Sequence, residues 1–163
     1  YAGDVIRPGQ QVVLVADPGR AAEGRVRLAR IGFDEVAGEL PDIERVLSDH
    51  PSLADTARRI TATDLADWLH EDPPQVIDVR APAETEAGAV PASRNVPLAT
   101  LLDNLGDLDR TKPTVVYCAG GYRSSIAASS LTAHGFTAVA DLLGGYPAWE
   151  AATEAPPATD TEG

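Results

Sequence analysis

The sequence predicts an α/β protein in which a parallel sheet is flanked by helices. Apolar runs of strand length, at 12–16, 76–78 and 114–117, alternate with stretches of helical periodicity. Strands joined by helices at this spacing form βαβ units, whose strands run parallel. The length of 163 residues suits one ordinary domain with its own core, or one small domain and a fragment of a second.

An internal repeat divides the chain. Residues 12–16 (VVLVA) reappear as 115–119 (VVYCA), and the same offset, 115 − 12 = 103, places Gly32 on Gly135. Each copy has the pattern of a buried strand, a loop, a helix ended by a glycine and a second short strand. The predicted organisation is therefore a degenerate half-domain at 1–48, a linker at 49–59, a full domain at 60–151 and a disordered acidic tail at 152–163.

The full domain begins with a helix that Thr63 is predicted to cap, because Leu65, Trp68 and Leu69 then share one face. The elements that follow are predicted as a strand at 76–78, a short strand at 95–96, a helix at 98–105, the strand at 114–117 and a helix from about 123.

Composition excludes several classes of partner. Thirteen Lys and Arg residues against 25 Asp and Glu leave a net charge of −12, which disfavours nucleic acid. The apolar runs are far shorter than the ~20 residues that cross a bilayer, so we expect no membrane partner. A single cysteine forms no internal disulfide, and a cytoplasmic location is expected. Because no metal-ligand spacing is present, we expect no metal and no cofactor in this chain.

The cysteine stands in a loop with the features of a reactive site. Cys118 lies at the carboxyl end of a predicted strand, where ligands bind in parallel sheets. Ala119, Gly120 and Gly121 allow the backbone to curl so that its N–H groups point inward as an anion-binding nest. Arg123 and the positive end of the following helix both favour a thiolate. An inert buried cysteine is the alternative.

Three motifs in combination resemble the rhodanese-like sulfurtransferase domain. They are 118–124 (CAGGYRS), 76–80 (VIDVR) and 144–149 (GGYPAW), and the resemblance covers residues 60–151. It implies a five-stranded parallel sheet flanked by helices. It also implies a cysteine that takes a sulfane sulfur from a donor, holds it as a persulfide and passes it to a thiophilic acceptor such as cyanide, glutathione or another thiol.

The resemblance also implies residue roles. Cys118 would be the nucleophile and persulfide carrier, and Arg123 would bind the anionic end of a donor such as thiosulfate. Asp78 and Arg80 match the Asp-x-Arg pattern of the family and are expected to brace loops. The remaining substrate-binding loop would consist of Ala119, Gly120, Gly121, Tyr122 and Ser124.

Two alternative functions remain open. One is a non-catalytic rhodanese-like module that serves interaction or regulation. The other is a cysteine-dependent phosphatase or arsenate reductase. In these related enzymes the loop from Cys to Arg is one residue longer than the six residues from Cys118 to Arg123. The loop also offers no general acid for a phosphate leaving group.

The half-copy suggests a larger assembly. A degenerate half-domain before an intact one, in a chain without Met that begins at Tyr1, resembles the C-terminal part of a fusion between a metallo-β-lactamase-fold hydrolase, of persulfide dioxygenase type, and rhodanese domains. We therefore expect an upstream metallo-hydrolase domain. The partners expected for the chain itself are small sulfur donors and thiol acceptors.

Overall fold

The computed structural model describes residues 1–154. The chain divides into two compact units, the first Tyr1–Thr56 and the second beginning at Ala57. Residues 152–154, which were predicted to belong to the disordered tail, form the end of a helix instead. The rest of the predicted tail, 155–163, lies outside the described residues.

The first unit contains a two-stranded parallel sheet of β1 (Val12–Val15) and β2 (Val36–Leu40). Strand β1 has one face partly buried, while Val13 and Val15 on its other face are more than half exposed. The elements are α1 (Ala2–Val5), β1 (Val12–Val15), α2 (Ala21–Ala29), β2 (Val36–Leu40), α3 (Ile43–Asp49) and a 3₁₀ turn (Pro51–Leu53).

The second unit contains a five-stranded sheet in the order β3 (Arg58–Ile60), β7 (Val139–Leu142), β6 (Thr114–Tyr117), β4 (Gln75–Asp78) and β5 (Arg94–Asn95). Every pair of neighbouring strands is parallel. The predicted fold class, a parallel five-stranded sheet flanked by helices, is confirmed. The elements are β3 (Arg58–Ile60), α4 (Ala62–Glu71), β4 (Gln75–Asp78), α5 (Pro82–Glu86), β5 (Arg94–Asn95), α6 (Leu98–Leu101), a 3₁₀ turn (Leu105–Asp107), β6 (Thr114–Tyr117), α7 (Tyr122–Ala133), β7 (Val139–Leu142) and α8 (Gly145–Glu154).

The core of the second unit surrounds β6, whose four residues are all buried. Val115 and Tyr117 join Leu65 of α4 and Trp149 of α8 in one apolar cluster, against which Trp68 packs. Strand β6 is buried on both faces, and its carboxyl end lies in the middle of the sheet. None of the helices among residues 1–154 is long and apolar enough to cross a membrane.

Three local predictions were wrong in detail. Helix α4 is capped by Thr61, not Thr63, because Thr61 and Asp64 satisfy each other's backbone N–H groups in a capping box. The helix predicted at 98–105 is a short α-helix followed by a separate 3₁₀ turn. Strand β3 begins inside the predicted linker. It was not predicted because its sequence, Arg-Arg-Ile, has two exposed charged residues and only one apolar residue.

Helices α2 and α7 end with the same geometry. Gly32 and Gly135 both take left-handed φ angles, +85° and +89°. The next residue, Phe33 or Phe136, donates its backbone N–H to the carbonyl of Leu28 or Leu131 respectively, at 3.0 and 3.2 Å. These positions are related by the offset of the sequence repeat.

Candidate active site

Cys118 follows directly after β6 and is 1% exposed. Its Sγ accepts a hydrogen bond from the backbone N–H of Gly121 at 3.1 Å and lies 3.4 Å from Oγ of Ser124. Gly121 takes a left-handed φ of +92° as it starts α7, which turns the chain back over the sulfur. The predicted curl of the loop around the thiol is therefore present.

The environment of the thiol favours its ionised form. Burial by itself raises the pKa of Cys118. The hydrogen bonds from the Ser124 hydroxyl and from backbone N–H groups of the loop act in the opposite direction and outweigh burial, so the net pKa lies below that of a free thiol. A lowered pKa increases the fraction of thiolate, which is the nucleophilic form.

The start of helix α8 presses against the loop. The backbone N–H of Tyr146 donates to the carbonyl of Cys118 at 2.8 Å. A Cβ on Gly145 would collide with that carbonyl oxygen, and the φ of Gly145 is +61°. Glycine is therefore required here, both by the close approach and by the left-handed backbone.

Arg123 forms a two-pronged ion pair with Glu84 of α5. Its two terminal nitrogens each donate to one carboxylate oxygen at 2.7 Å. The hydrogen bonds from Arg123 are the main reason that the pKa of Glu84 falls to about 2. Glu84 thus fixes the guanidinium beside the loop. This contact joins residues 39 positions apart and was not predicted from the sequence.

Asp78 and Arg80 form a buried ion pair, with Nη2 of Arg80 2.7 Å from the carboxylate. The hydroxyl of Thr85 also donates to Asp78. Arg80 donates to the carbonyl of Gly88 at 2.6 Å, and its guanidinium lies over the ring of Tyr146 at 4.4 Å. The pair therefore links the end of β4 to the loop after α5 and to α8.

The other predicted loop residues separate into two groups. Ser124 is fully buried in the first turn of α7. Ala119 and Gly120 are exposed, and the side chain of Tyr122 is 69% exposed. The loop thus has an inner side that contacts the sulfur and an outer side that faces solvent.

One further buried acid lies near this loop and was missed from the sequence. Asp141 of β7 is 3% exposed, and burial raises the pKa of its carboxyl. Its only sequence signal is a carboxylate inside the otherwise apolar run Val139–Leu142. No group of His, Cys, Asp and Glu side chains that could hold a metal occurs among the described residues.

Together these features define a class of protein: an α/β fold whose loop of backbone N–H groups holds a thiol at the carboxyl end of a central parallel strand. A family model for the rhodanese-like domain matches residues 61–152. The chain belongs to the rhodanese-like family.

Comparisons with individual proteins agree with this family. YqhL of Bacillus subtilis, an uncharacterized protein, is 39% identical over 75 residues, which cover 46% of this chain and 60% of YqhL. Thiosulfate sulfurtransferase GlpE of Pseudomonas paraeruginosa is 34% identical over 97 residues, 60% of this chain and 87% of GlpE. The structure of a rhodanese-like domain protein from Staphylococcus aureus matches with a TM-score of 0.54 at 34% identity and covers 56% of this chain and 90% of that one. These relatives support a sulfurtransferase at the level of the family.

Proposed function

We propose that this protein transfers a sulfane sulfur from thiosulfate or a thiol persulfide to a thiophilic acceptor, with Cys118 as the carrier. The observation that carries the proposal is the position of the Cys118 sulfur, which accepts the Gly121 N–H at 3.1 Å inside the loop. A negatively charged sulfur needs such donors, because burial without them would favour the neutral thiol.

The chemistry follows from this position. The Cys118 thiolate attacks the outer sulfur of thiosulfate, and an S–S bond forms as the S–S bond of thiosulfate breaks and its electron pair leaves with sulfite. In the second half-reaction the acceptor attacks the outer sulfur of the persulfide, and the Cys118 thiolate is the leaving group. The loop N–H groups stabilise negative charge on sulfur in both steps.

Arg123 supplies positive charge to the same loop. Its ion pair with Glu84 holds the guanidinium in one place and offsets part of its charge. We propose that this charge contributes to the binding of thiosulfate. Arg123→Ala should therefore raise the thiosulfate concentration at half-maximal rate, while Arg123→Lys keeps the charge and should retain part of the affinity.

The decisive experiment is intact-mass spectrometry after incubation with thiosulfate or glutathione persulfide, followed by cyanide. Because the chain contains one cysteine, any gain can be assigned to it. We expect a gain of about 32 Da, one sulfur atom, that cyanide removes and that the Cys118→Ser variant never shows.

The alternatives predict different outcomes. An unchanged wild-type mass with both donors would contradict the proposal. Hydrolysis of a phosphate ester by that same sample, lost in Cys118→Ser, would then indicate a phosphatase. Absence of both activities would indicate a binding module. The upstream metallo-hydrolase domain and the cytoplasmic location stay predictions.

A further inference from the structure

A groove of about 300 Å³ lies beside the cysteine loop, at the carboxyl end of β7. Its lining includes Gly120 and Gly121 of the loop and Arg59 of β3. Gly121 also donates its backbone N–H to the Cys118 sulfur at 3.1 Å. The groove therefore borders the part of the backbone that holds the sulfur. Its volume reaches the lower end of the range for small-molecule sites, about 300–1,000 Å³.

Apolar side chains line this groove next to the loop. Tyr122 and Leu143 both belong to its lining, and they are 69% and 41% exposed. Among the described residues of the second unit, these are the two large apolar side chains that are exposed. Covering apolar area of this kind with a ligand is favourable, because it removes that area from water. A molecule with an organic body would therefore gain affinity here.

Arg59 supplies the groove with a cation. It is the register partner of Asp141 on the neighbouring strand, and its Nε lies 3.9 Å from Oδ2 of that carboxylate, beyond hydrogen-bond distance. The Arg59 side chain is 58% exposed, whereas that of Asp141 is 4% exposed. Toward residues 1–154 the guanidinium makes this one ion pair and no hydrogen bond. A ligand in the groove therefore meets the N–H donors of the guanidinium and not the buried carboxylate.

Arg123, the other cation beside the loop, is engaged more tightly. Both of its terminal nitrogens donate to Glu84 at 2.7 Å, and its side chain is 16% exposed. A guanidinium binds a carboxylate well because its N–H groups match the two oxygens. An anionic group that enters the groove therefore finds the more accessible partner in Arg59.

We propose that the groove binds a peptide-sized thiol, with a carboxylate of the thiol paired to Arg59 and its organic body against Tyr122 and Leu143. The sulfur of this molecule then lies next to the loop glycines. Glutathione has the required chemistry, since it combines one thiol with an organic body and two carboxylates. The inference rests on the proposed function, because it names the class of acceptor. The groove positions that acceptor, and the bonds made and broken are those of the second half-reaction.

The test is an NMR titration of the wild-type protein with S-methylglutathione, observed through the backbone N–H signals. The methyl group blocks the thiol, so binding is measured without any sulfur transfer. We expect saturable shifts at Gly120, Gly121 and Leu143. The diethyl ester of the same probe has neither carboxylate charge and should bind about three- to fivefold more weakly, as expected for the loss of an exposed ion pair.

Substitutions in β3 test the cation. Arg59→Ala should weaken the binding of S-methylglutathione about three- to fivefold and leave the binding of the ester unchanged, and Arg59→Lys keeps the charge and should retain part of the affinity. Arg58→Ala is the matched control, because Arg58 is the preceding residue of β3 and its guanidinium lies 5.0 Å from the ring of Trp68. This variant should bind the probe as the wild type does. Leu143→Ala should weaken the binding of the probe and of the ester equally.

Three results would overturn the proposal: equal affinity of the wild type for the probe and the ester, wild-type affinity in a folded Arg59→Ala variant, or shifts confined to residues outside the groove. If Arg59→Ala does not fold, the comparison of probe and ester decides, since it uses the wild type. The proposed function fails separately. A protein that binds the probe through Arg59 and gains no sulfur would support the groove and contradict the transfer reaction. A protein that gains sulfur and does not bind the probe would contradict the groove alone.

Discussion

The two copies of the strand, loop and helix share the glycine that ends the helix and differ around the loop that begins it. In the second unit, β6 is fully buried between two parallel strands, and its loop carries Cys118. In the first unit, β1 pairs with one strand, and Val15 stands at the repeat position of Cys118, 56% exposed. The shared pattern therefore encodes a supersecondary unit, whereas the reactive loop also needs neighbours from elsewhere in its own sheet.

Those neighbours come from distant parts of the second unit. Gly145 closes against the carbonyl of Cys118, and Glu84 holds Arg123. The comparison can be tested by removing such contacts in the second unit and making the matching change in the first or at a neutral position.

Removal of Arg80 should have the largest effect on the free energy of unfolding. Arg80→Ala leaves the carboxylate of Asp78 buried without its cation, and we expect a loss of about 3–5 kcal/mol in the free energy of unfolding, measured by urea titration. The matched change in the first unit is Arg27→Ala, which breaks an exposed ion pair with Glu23. It should hardly alter the unfolding midpoint. Equal losses in the two variants would refute the distinction between the two pairs.

Gly145→Ala should have the next largest effect. The added Cβ would collide with the carbonyl of Cys118 in a left-handed backbone conformation, and we expect a loss of about 2–4 kcal/mol together with slower alkylation of Cys118. Gly106→Ala is the control, because no atom lies within 4 Å of its added Cβ. A Gly145→Ala variant as stable as the control would show that the loop and α8 can separate at little cost.

A smaller, pH-dependent effect is expected from Glu84. Its pKa is about 2 in the folded protein, below its ordinary value of 4.5, so its ion pair stabilises the fold above pH 4.5 and loses this contribution as the pH falls toward 2. The difference in Tm between wild type and Glu84→Gln should therefore shrink over this interval. Glu23→Gln in the first unit serves as the exposed control. A difference that stays constant down to pH 2 would argue against the ion pair as its source.

For the last substitution we expect no persulfide formation. Val15→Cys in the Cys118→Ser background places a thiol at the repeat position of the first unit. The loop that follows contains Asp17 and Pro18, which add a negative charge and remove an N–H donor. We expect no persulfide on this cysteine by intact mass. A sulfur gain there would show that the strand end alone is sufficient.

Much of the second unit was predictable because its signals are local. The buried strand, the glycine-rich loop and the following helix are contiguous in sequence, and the motifs around Cys118 are specific to one family. Strand β3 was missed because pairing with β7, not apolar pattern, creates it. Glu84 was missed because its contact with Arg123 joins residues 39 positions apart in the chain, which a pattern of neighbours does not reveal.

The positions of the two tryptophans divide the chain spectroscopically. Trp68 and Trp149 both lie in the second unit, where Trp149 is buried and Arg58 lies 5.0 Å from the ring of Trp68. Intrinsic fluorescence therefore reports the unfolding of the rhodanese-like unit, and far-UV circular dichroism sees the helices of both units. A comparison of the two signals during one urea titration shows whether the two units unfold together or one after the other.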